Sequence, residues 1–218
     1  MTRQNSRTRI LEVAERLIAL KGVHGTSARE VLQAAEQRNN SAIVYHFGSW
    51  DGLVAEIWTT RAAVVNEHRR VMVDAIEPGS ADETLRLVEA YVHPYATAVG
   101  SRTPSYWARF NEQCLLGLHL DYFSRPSWIG TDVVGYAPAA DTPDLYDLFD
   151  RLTALSAHAI PHADRARRTA LVSRFVTTAL AAWERDAEVG SAPDLSVFEA
   201  DLTTMTLAVL TAGRAAPA

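Results

Sequence analysis

The sequence predicts an all-α protein of about nine helices, a small three-helix head followed by a larger helical body. Three observations carry this. Apolar residues recur at three- and four-residue spacing from Ile10 almost to the C-terminus. A helix-start signature stands at Ser27 and Glu30. Gly22, Gly48-Ser49 and Pro78-Gly79-Ser80 punctuate the periodic stretches.

Thr2 to Arg9 is polar, carries Arg3, Arg7 and Arg9, and reads as a solvated tail or an arm lying near a polyanion. Ile10, Val13, Ala14, Leu17 and Ile18 then form a clean helical stripe, which Gly22 ends as a C′ residue. Ser27 and Glu30 have the spacing of a capping box, and Val31, Leu32 and Ala35 give the helix they start its apolar face. Glu36-Gln37-Arg38 interrupts the pattern. Asn39 or Asn40 is a good N-cap for a helix of about two turns, anchored by Ile43 and Phe47. Ser49 caps a long helix with Asp51 in its first turn and Leu53, Ile57 and Val64 on one face, running toward Glu77.

The next helix spans 81–100 with Leu85, Val88, Tyr91, Val92 and Tyr95, and Pro94 inside it removes one backbone bond and predicts a kink. Thr103-Pro104 supplies an N-cap and a first-turn proline for a helix from Ser105 to about Tyr122, with Trp107, Phe110, Cys114 and Leu118 as its stripe. Residues 124–142 are Gly- and Pro-rich and read as the one long irregular segment. Helix resumes from Asp144 to Ile160 with Leu145, Leu148, Leu152 and Leu155. In the helix from Ala163 to Glu188, Leu171, Phe175, Thr178 and Ala182 lie beside a second stripe of Val172, Val176, Ala179 and Trp183. The last helix, Asp194 to Ala212, carries Leu195, Phe198, Leu202, Met205 and Val209. Faces this wide can serve a core and a partner helix together.

A chain of 218 residues, 48% hydrophobic and 22% charged, can bury a sizeable core. Its net charge of −5 hides an asymmetry. Residues 1–50 hold 7 Lys+Arg against 4 Asp+Glu, and the remainder 14 against 22, so a basic head sits on an acidic body. The single cysteine, Cys114, excludes an internal disulfide and a Cys-rich zinc site, and its leucine neighbours predict a buried thiol. No apolar run approaches the roughly 18 residues that span a bilayer, and the N-terminus lacks a signal peptide's apolar segment, so a cytoplasmic location is expected. No Gly-rich phosphate loop or nucleophile–base pattern appears, and no catalytic residue is assigned. His158 and His162 have a four-residue spacing, but Pro161 between them interrupts the helix such a pair would need. No metal or cofactor is assigned.

Residues 26–47, TSAREVLQAAEQRNNSAIVYHF, are two short helices joined by a tight turn, the second polar on its outer face. That is the form of a helix-turn-helix entering the major groove, where asparagine reads adenine, arginine reads guanine, and Ser, Tyr or His hold phosphates. The run Gly22-Val23-His24-Gly25-Thr26-Ser27, the helix pair, Tyr45-His46-Phe47 and Leu53 resemble the DNA-binding domain of TetR-type regulators, in the variant whose turn reads QRNNSA before YHFGS. The likeness spans roughly the first 58 residues. Two positions depart from it. Glu36 stands where the family usually carries glycine, and Trp50 where it usually carries a phosphate-binding lysine.

The resemblance implies a helix-turn-helix DNA-binding domain at 1–48 and a helical effector-binding and dimerisation domain at 49–218. DNA contacts fall to Ser27, Arg29, Arg38, Asn39, Asn40, Ser41, Tyr45, His46 and Trp50. An effector pocket is expected at Tyr91, Tyr95, Trp107, Phe110 and Trp128, opened by Pro94 and by antiparallel packing across the Ser101-Arg102 connection. The family dimerises through its last two long helices, here at Leu171, Phe175, Ala179, Ala182, Phe198, Leu202, Met205 and Val209. The implied function is a repressor released from a palindromic operator by a small molecule. The competing classes are an all-helical enzyme or ligand carrier with an incidental hairpin, and a DNA-binding protein that senses a partner protein or nothing.

Overall fold

A computed structural model describes residues 3–116, 143–155 and 162–212, and within these every regular element is helical. The order is α1 (Arg3–Lys21), α2 (Ala28–Ala34), α3 (Ala42–Phe47), α4 (Trp50–Asp74), α5 (Glu83–Gly100), α6 (Trp107–Leu115), α7 (Pro143–Leu155), α8 (His162–Glu188) and α9 (Leu195–Thr211).

The stripe from Ile10 to Ile18 is buried as its spacing requires, against α2, α4 and α6. α1 nevertheless starts at Arg3, and the expected tail is its first two turns. The segment holds no Gly or Pro, so a helix nucleated by the stripe extends backward through it. Arg7 is held there by Glu56 at 2.6 Å and lies over the Phe47 ring at 5.2 Å. Gly22 takes a φ of +81° after the last turn, the left-handed conformation a C′ residue needs.

α4 ends at Asp74, three residues short of the expected Glu77, and its buried face is not constant. Leu53 and Ile57 pack inward near the head, but Val64 on the same azimuth is 69% exposed. Trp58, Ala62, Val65 and Arg69 are buried instead. The first half of α4 faces the head and α3, the second half faces α5 and α7, and the contact face rotates between them.

α5 is the hub of the body, touching α4, α6, α7, α8 and α9, so a single stripe under-described it. Leu87, Ala90, Ala96 and Val99 are buried alongside Val88, Tyr91, Val92 and Tyr95, whereas Leu85 is partly exposed. Pro94 is buried within it. Gly100 ends it close against α9, where a β-carbon would lie 2.3 Å from the tip of the Leu195 side chain and would force that side chain to shift.

α6 begins at Trp107, and Thr103-Pro104, joined by a cis peptide, precedes it rather than capping it. The cap comes from another helix. Glu184 of α8, fully buried, accepts the amides of Ala108 at 3.0 Å and Arg109 at 2.9 Å and the Ser105 hydroxyl at 2.6 Å. α6 does not run along α5; it lies chiefly between α8 and α1, and so ties the body to the head.

Candidate nucleic-acid interface

Each local element of the head is fixed by a named interaction. The Thr26 hydroxyl, buried, donates to the carbonyls of Gly22 at 2.9 Å and Leu17 at 3.2 Å, locking α2 onto the end of α1. The capping box forms as its spacing requires. Glu30 donates its amide to Ser27 Oγ at 3.2 Å, and the Ser27 amide donates to the Glu30 carboxylate at 3.0 Å. Lys21 adds a 2.9 Å ion pair, and Lys21 and Ser27 together push the Glu30 carboxyl down to about 2.

Glu36 follows α2 with a φ of +57°, so the glycine-like turn is present with a β-carbon in it, at a strain of about 1 kcal/mol. The Gln37 amide closes that turn on the Leu32 carbonyl at 2.8 Å. The Asn39 side chain accepts the Ser41 amide at 2.9 Å, and Ser41 rather than either asparagine occupies the N-cap position of α3. Ala42 and Ile43 are buried and hold this six-residue helix to the core. Gly48 ends it at φ +76°, and Ser49 caps α4 by accepting the Gly52 amide at 2.9 Å.

This leaves Arg38, Asn39, Asn40, Ser41 and Tyr45 exposed in the turn and α3, and Ser27 and Arg29 exposed at the start of α2. His46 is half-buried, its ring edge-on to Tyr45 at 4.9 Å and tilted on Phe47 at 5.9 Å. Trp50 is also half-buried and packs against the core, so less of its ring faces outward than a lysine would offer. The residue that sequence reasoning passed over is Val44, 63% exposed in the middle of α3. Its signal was available, since Ile43 and Phe47, four apart, set the inward face, and Val44 is turned about 100° from Ile43. An outward Val suits the methyl group of a thymine.

In the body, Tyr91, Tyr95, Trp107 and Phe110 converge and are buried. Trp107 lies 6.0 Å from both Tyr95 and Phe110 and 6.3 Å from Trp58, and Tyr91 packs on Phe149 at 5.0 Å. Trp128 falls outside the described residues. α8 supplies a buried polar ladder that the sequence reading missed, with Thr169, Ser173 and Thr177 one turn apart. Their hydroxyls meet Thr153, Tyr91 and Tyr95, and Asn111 donates to the Tyr95 oxygen at 2.9 Å. Burial raises both tyrosine hydroxyls above their usual range. The Trp107 indole N–H, in a side chain 4% exposed, has no hydrogen-bond partner among the described residues. Burial likewise pushes the Cys114 thiol up, consistent with an inert side chain.

A cleft of about 130 Å³ lies elsewhere, between α1 and α4, lined by Leu11 and Ile57 beside charged and hydroxyl side chains that include Glu15, Arg61 and Arg102.

Of the residues expected at a subunit interface, Leu171, Ala182, Met205 and Val209 are exposed, and Phe175, Ala179 and Phe198 are half-buried. Leu202 is fully buried and belongs to the chain's own core, packed beneath α9 with Leu210 and Thr206. The α9 stripe therefore divides. Its Leu202 side faces inward, and Val197, Met205 and Val209 face outward, as does Leu171 on α8. Among the described residues no group of three or more His, Cys, Asp or Glu is placed to hold a metal ion. No helix among them is long and apolar enough to cross a membrane.

Residues 10–57, from the buried stripe of α1 into the first turns of α4, match the family of bacterial regulatory proteins described as the tetR family. No curated protein matches the sequence.

Proposed function

We propose that this chain, a tetR-family DNA-binding transcriptional regulator by its N-terminal domain, is a homodimeric repressor that leaves a palindromic operator when a small molecule binds its body. The observation that carries the reading is the form of α3. Ala42 and Ile43 anchor it, while Arg38, Asn40, Val44 and Tyr45 project together beside the turn. Those side chains match the edges offered by the major groove, and the phosphate-holding positions surround them. Residues 1–48 then form the DNA-binding domain and 49–218 the sensing and dimerising domain, acting in the cytoplasm.

Support for the dimer comes from the outward apolar side chains of α8 and α9, which a partner copy would cover. Support for the effector site at Tyr91, Tyr95, Trp107 and Phe110 comes from the Trp107 indole N–H. It has no acceptor among the described residues; a buried donor left so costs about 1–3 kcal/mol, and an effector oxygen reaching it would remove that deficit. Trp128 is placed at the same site on the sequence reading.

Fluorescence anisotropy titration against DNA flanking the chain's own gene tests the function. The wild type should bind one fragment tightly, and Asn40→Ala should weaken that binding by about 1–3 kcal/mol, with relaxed specificity at one base pair. Failure to bind any flanking fragment, with the fold intact, would favour a helical enzyme or carrier. Binding that no small molecule relieves would favour the sensor of a protein partner.

A further inference from the structure

Two side chains of α3 turn well outward, Val44 at 63% exposure and Tyr45 at 60%. They suit different tasks. Tyr45 is long and ends in a hydroxyl, so it can reach a phosphate oxygen. The Val44 side chain is short and has no donor or acceptor, so it can hold neither a phosphate nor the polar edge of a base. A lone exposed valine is common on protein surfaces and by itself marks nothing. Its place on α3 gives it meaning.

The Tyr45 amide donates to the Ser41 carbonyl and the Gly48 amide to the Val44 carbonyl, both at 2.9 Å, so residues 41, 44 and 48 stay in helical register. Residues three and four apart share one side of a helix, which puts Val44 between Ser41 and Gly48. Both neighbours are exposed, and a β-carbon at Gly48 would meet nothing within 4 Å. Every side chain on this row is short. Nothing on it holds the α3 backbone away from a surface, so even a valine can touch what α3 approaches. The longer Arg38 stands in the turn before α3, and Tyr45 is about 100° round the helix.

The row lies within residues 10–57, the part matched to tetR-family regulators, and is continuous with the side chains assigned to DNA. The major groove presents donors, acceptors and one apolar group, the C5 methyl of thymine. A side chain of two methyls has only that group to recognise.

We propose that Val44 is a specificity-determining residue, which packs against a thymine methyl in each operator half-site.

The assignment rests on the proposed reading of α3 as the helix that enters the major groove, and adds to it the base that one position must carry. Cytosine at that position offers no methyl and presents an amino group that Val44 cannot accept from. Burying one methyl group corresponds to about 4-fold in affinity, so the preference should be modest and local.

Duplexes are selected from a random pool by the full-length protein, and each thymine of the enriched site is replaced in turn by deoxyuridine. That replacement keeps base pairing and removes only the methyl. Fluorescence anisotropy should find a thymine in each half-site where it weakens wild-type binding about 3- to 10-fold. Val44→Ser removes both methyls from an exposed position and leaves the buried anchors Ala42 and Ile43 in place. It should bind the thymine and deoxyuridine forms of that site within about 1.5-fold of each other, and keep the wild-type response at every other thymine. A preference that survives in Val44→Ser, or an enriched site with no methyl-sensitive thymine, would overturn the proposal. So would a loss in Val44→Ser that is equal on thymine and deoxyuridine forms with the methyl preference kept, which would place Val44 against sugar or backbone. Each of these results leaves α3 as the DNA-reading helix. A pool that yields no enriched sequence for the wild type would instead overturn the reading of α3, and the assignment of Val44 with it.

Discussion

Replacing Glu184 by Ala should lower folding stability by about 3–5 kcal/mol. Its carboxylate is fully buried and serves three donors, the Ser105 hydroxyl and the amides of Ala108 and Arg109. Truncation leaves the two first-turn amides of α6 facing a cavity, at about 1–3 kcal/mol each if unpaired, with a hydroxyl beside them. The Arg109 guanidinium limits the damage, because it keeps Glu188 at 2.7 Å and the Ser105 carbonyl at 2.9 Å. Relief from burying the carboxylate also offsets part of the loss. Glu184→Gln retains one acceptor but presents an amide group to donors, and should lose about 2 kcal/mol. Urea denaturation at fixed protein concentration measures both, and an unchanged slope identifies a change in stability alone. A loss under about 1 kcal/mol for the Ala variant would mean that water caps α6 equally well. The account of α8 fixing α6, and through it α1, would then be wrong.

Three further outcomes are expected. Glu36→Gly should raise stability by about 0.5–1 kcal/mol, since glycine accepts the φ of +57° without strain; a lower melting temperature would show that the turn relies on its β-carbon. Leu171→Glu combined with Met205→Glu should give a folded monomer by sedimentation, because both side chains are exposed in the single chain, whereas Leu202→Glu should unfold it; a folded dimer after the double substitution would move the interface off these helices. Trp107→Phe removes the indole N–H together with one ring of a packed side chain, so it should lower stability by about 1–3 kcal/mol while raising the effector concentration that releases DNA. An unchanged release curve would return Trp107 to a plain core.

The head was legible because its signals are local. The Ser27–Glu30 capping box, the Ile10–Ile18 stripe and Gly22 act within a few residues of themselves, and each stands where the spacing puts it. The glycine-like turn at Glu36 is kept in its left-handed conformation although the residue is wrong for it, because the packing of α2 and α3 over-determines it. Long-range choices were not legible. Periodicity gives the azimuth of Val64 but not where the head ends, so it could not say that this side chain would face water. The start of α6 was misread because its cap lies far along the chain at Glu184, and no neighbouring residue announces it. Leu202 and Met205 sit on one sequence stripe, and which of them turns inward depends on how α9 settles against α5 and α8. The buried ladder of Thr169, Ser173 and Thr177 has helical spacing, yet hydroxyls at that spacing are usually solvated, so nothing in it announced burial.

Hydroxyl-radical footprinting of the operator fragment tests the central claim most directly. A dimer carrying two outward α3 helices should protect two sets of sugars, with half-site centres about 10–10.5 base pairs apart on pseudo-palindromic DNA. Both should fade together in Tyr45→Ala, which removes an exposed side chain of α3 and leaves its buried anchors in place. A single protected patch, or a footprint that Tyr45→Ala and Asn40→Ala leave unchanged, would contradict the assignment of α3 as the helix that reads DNA.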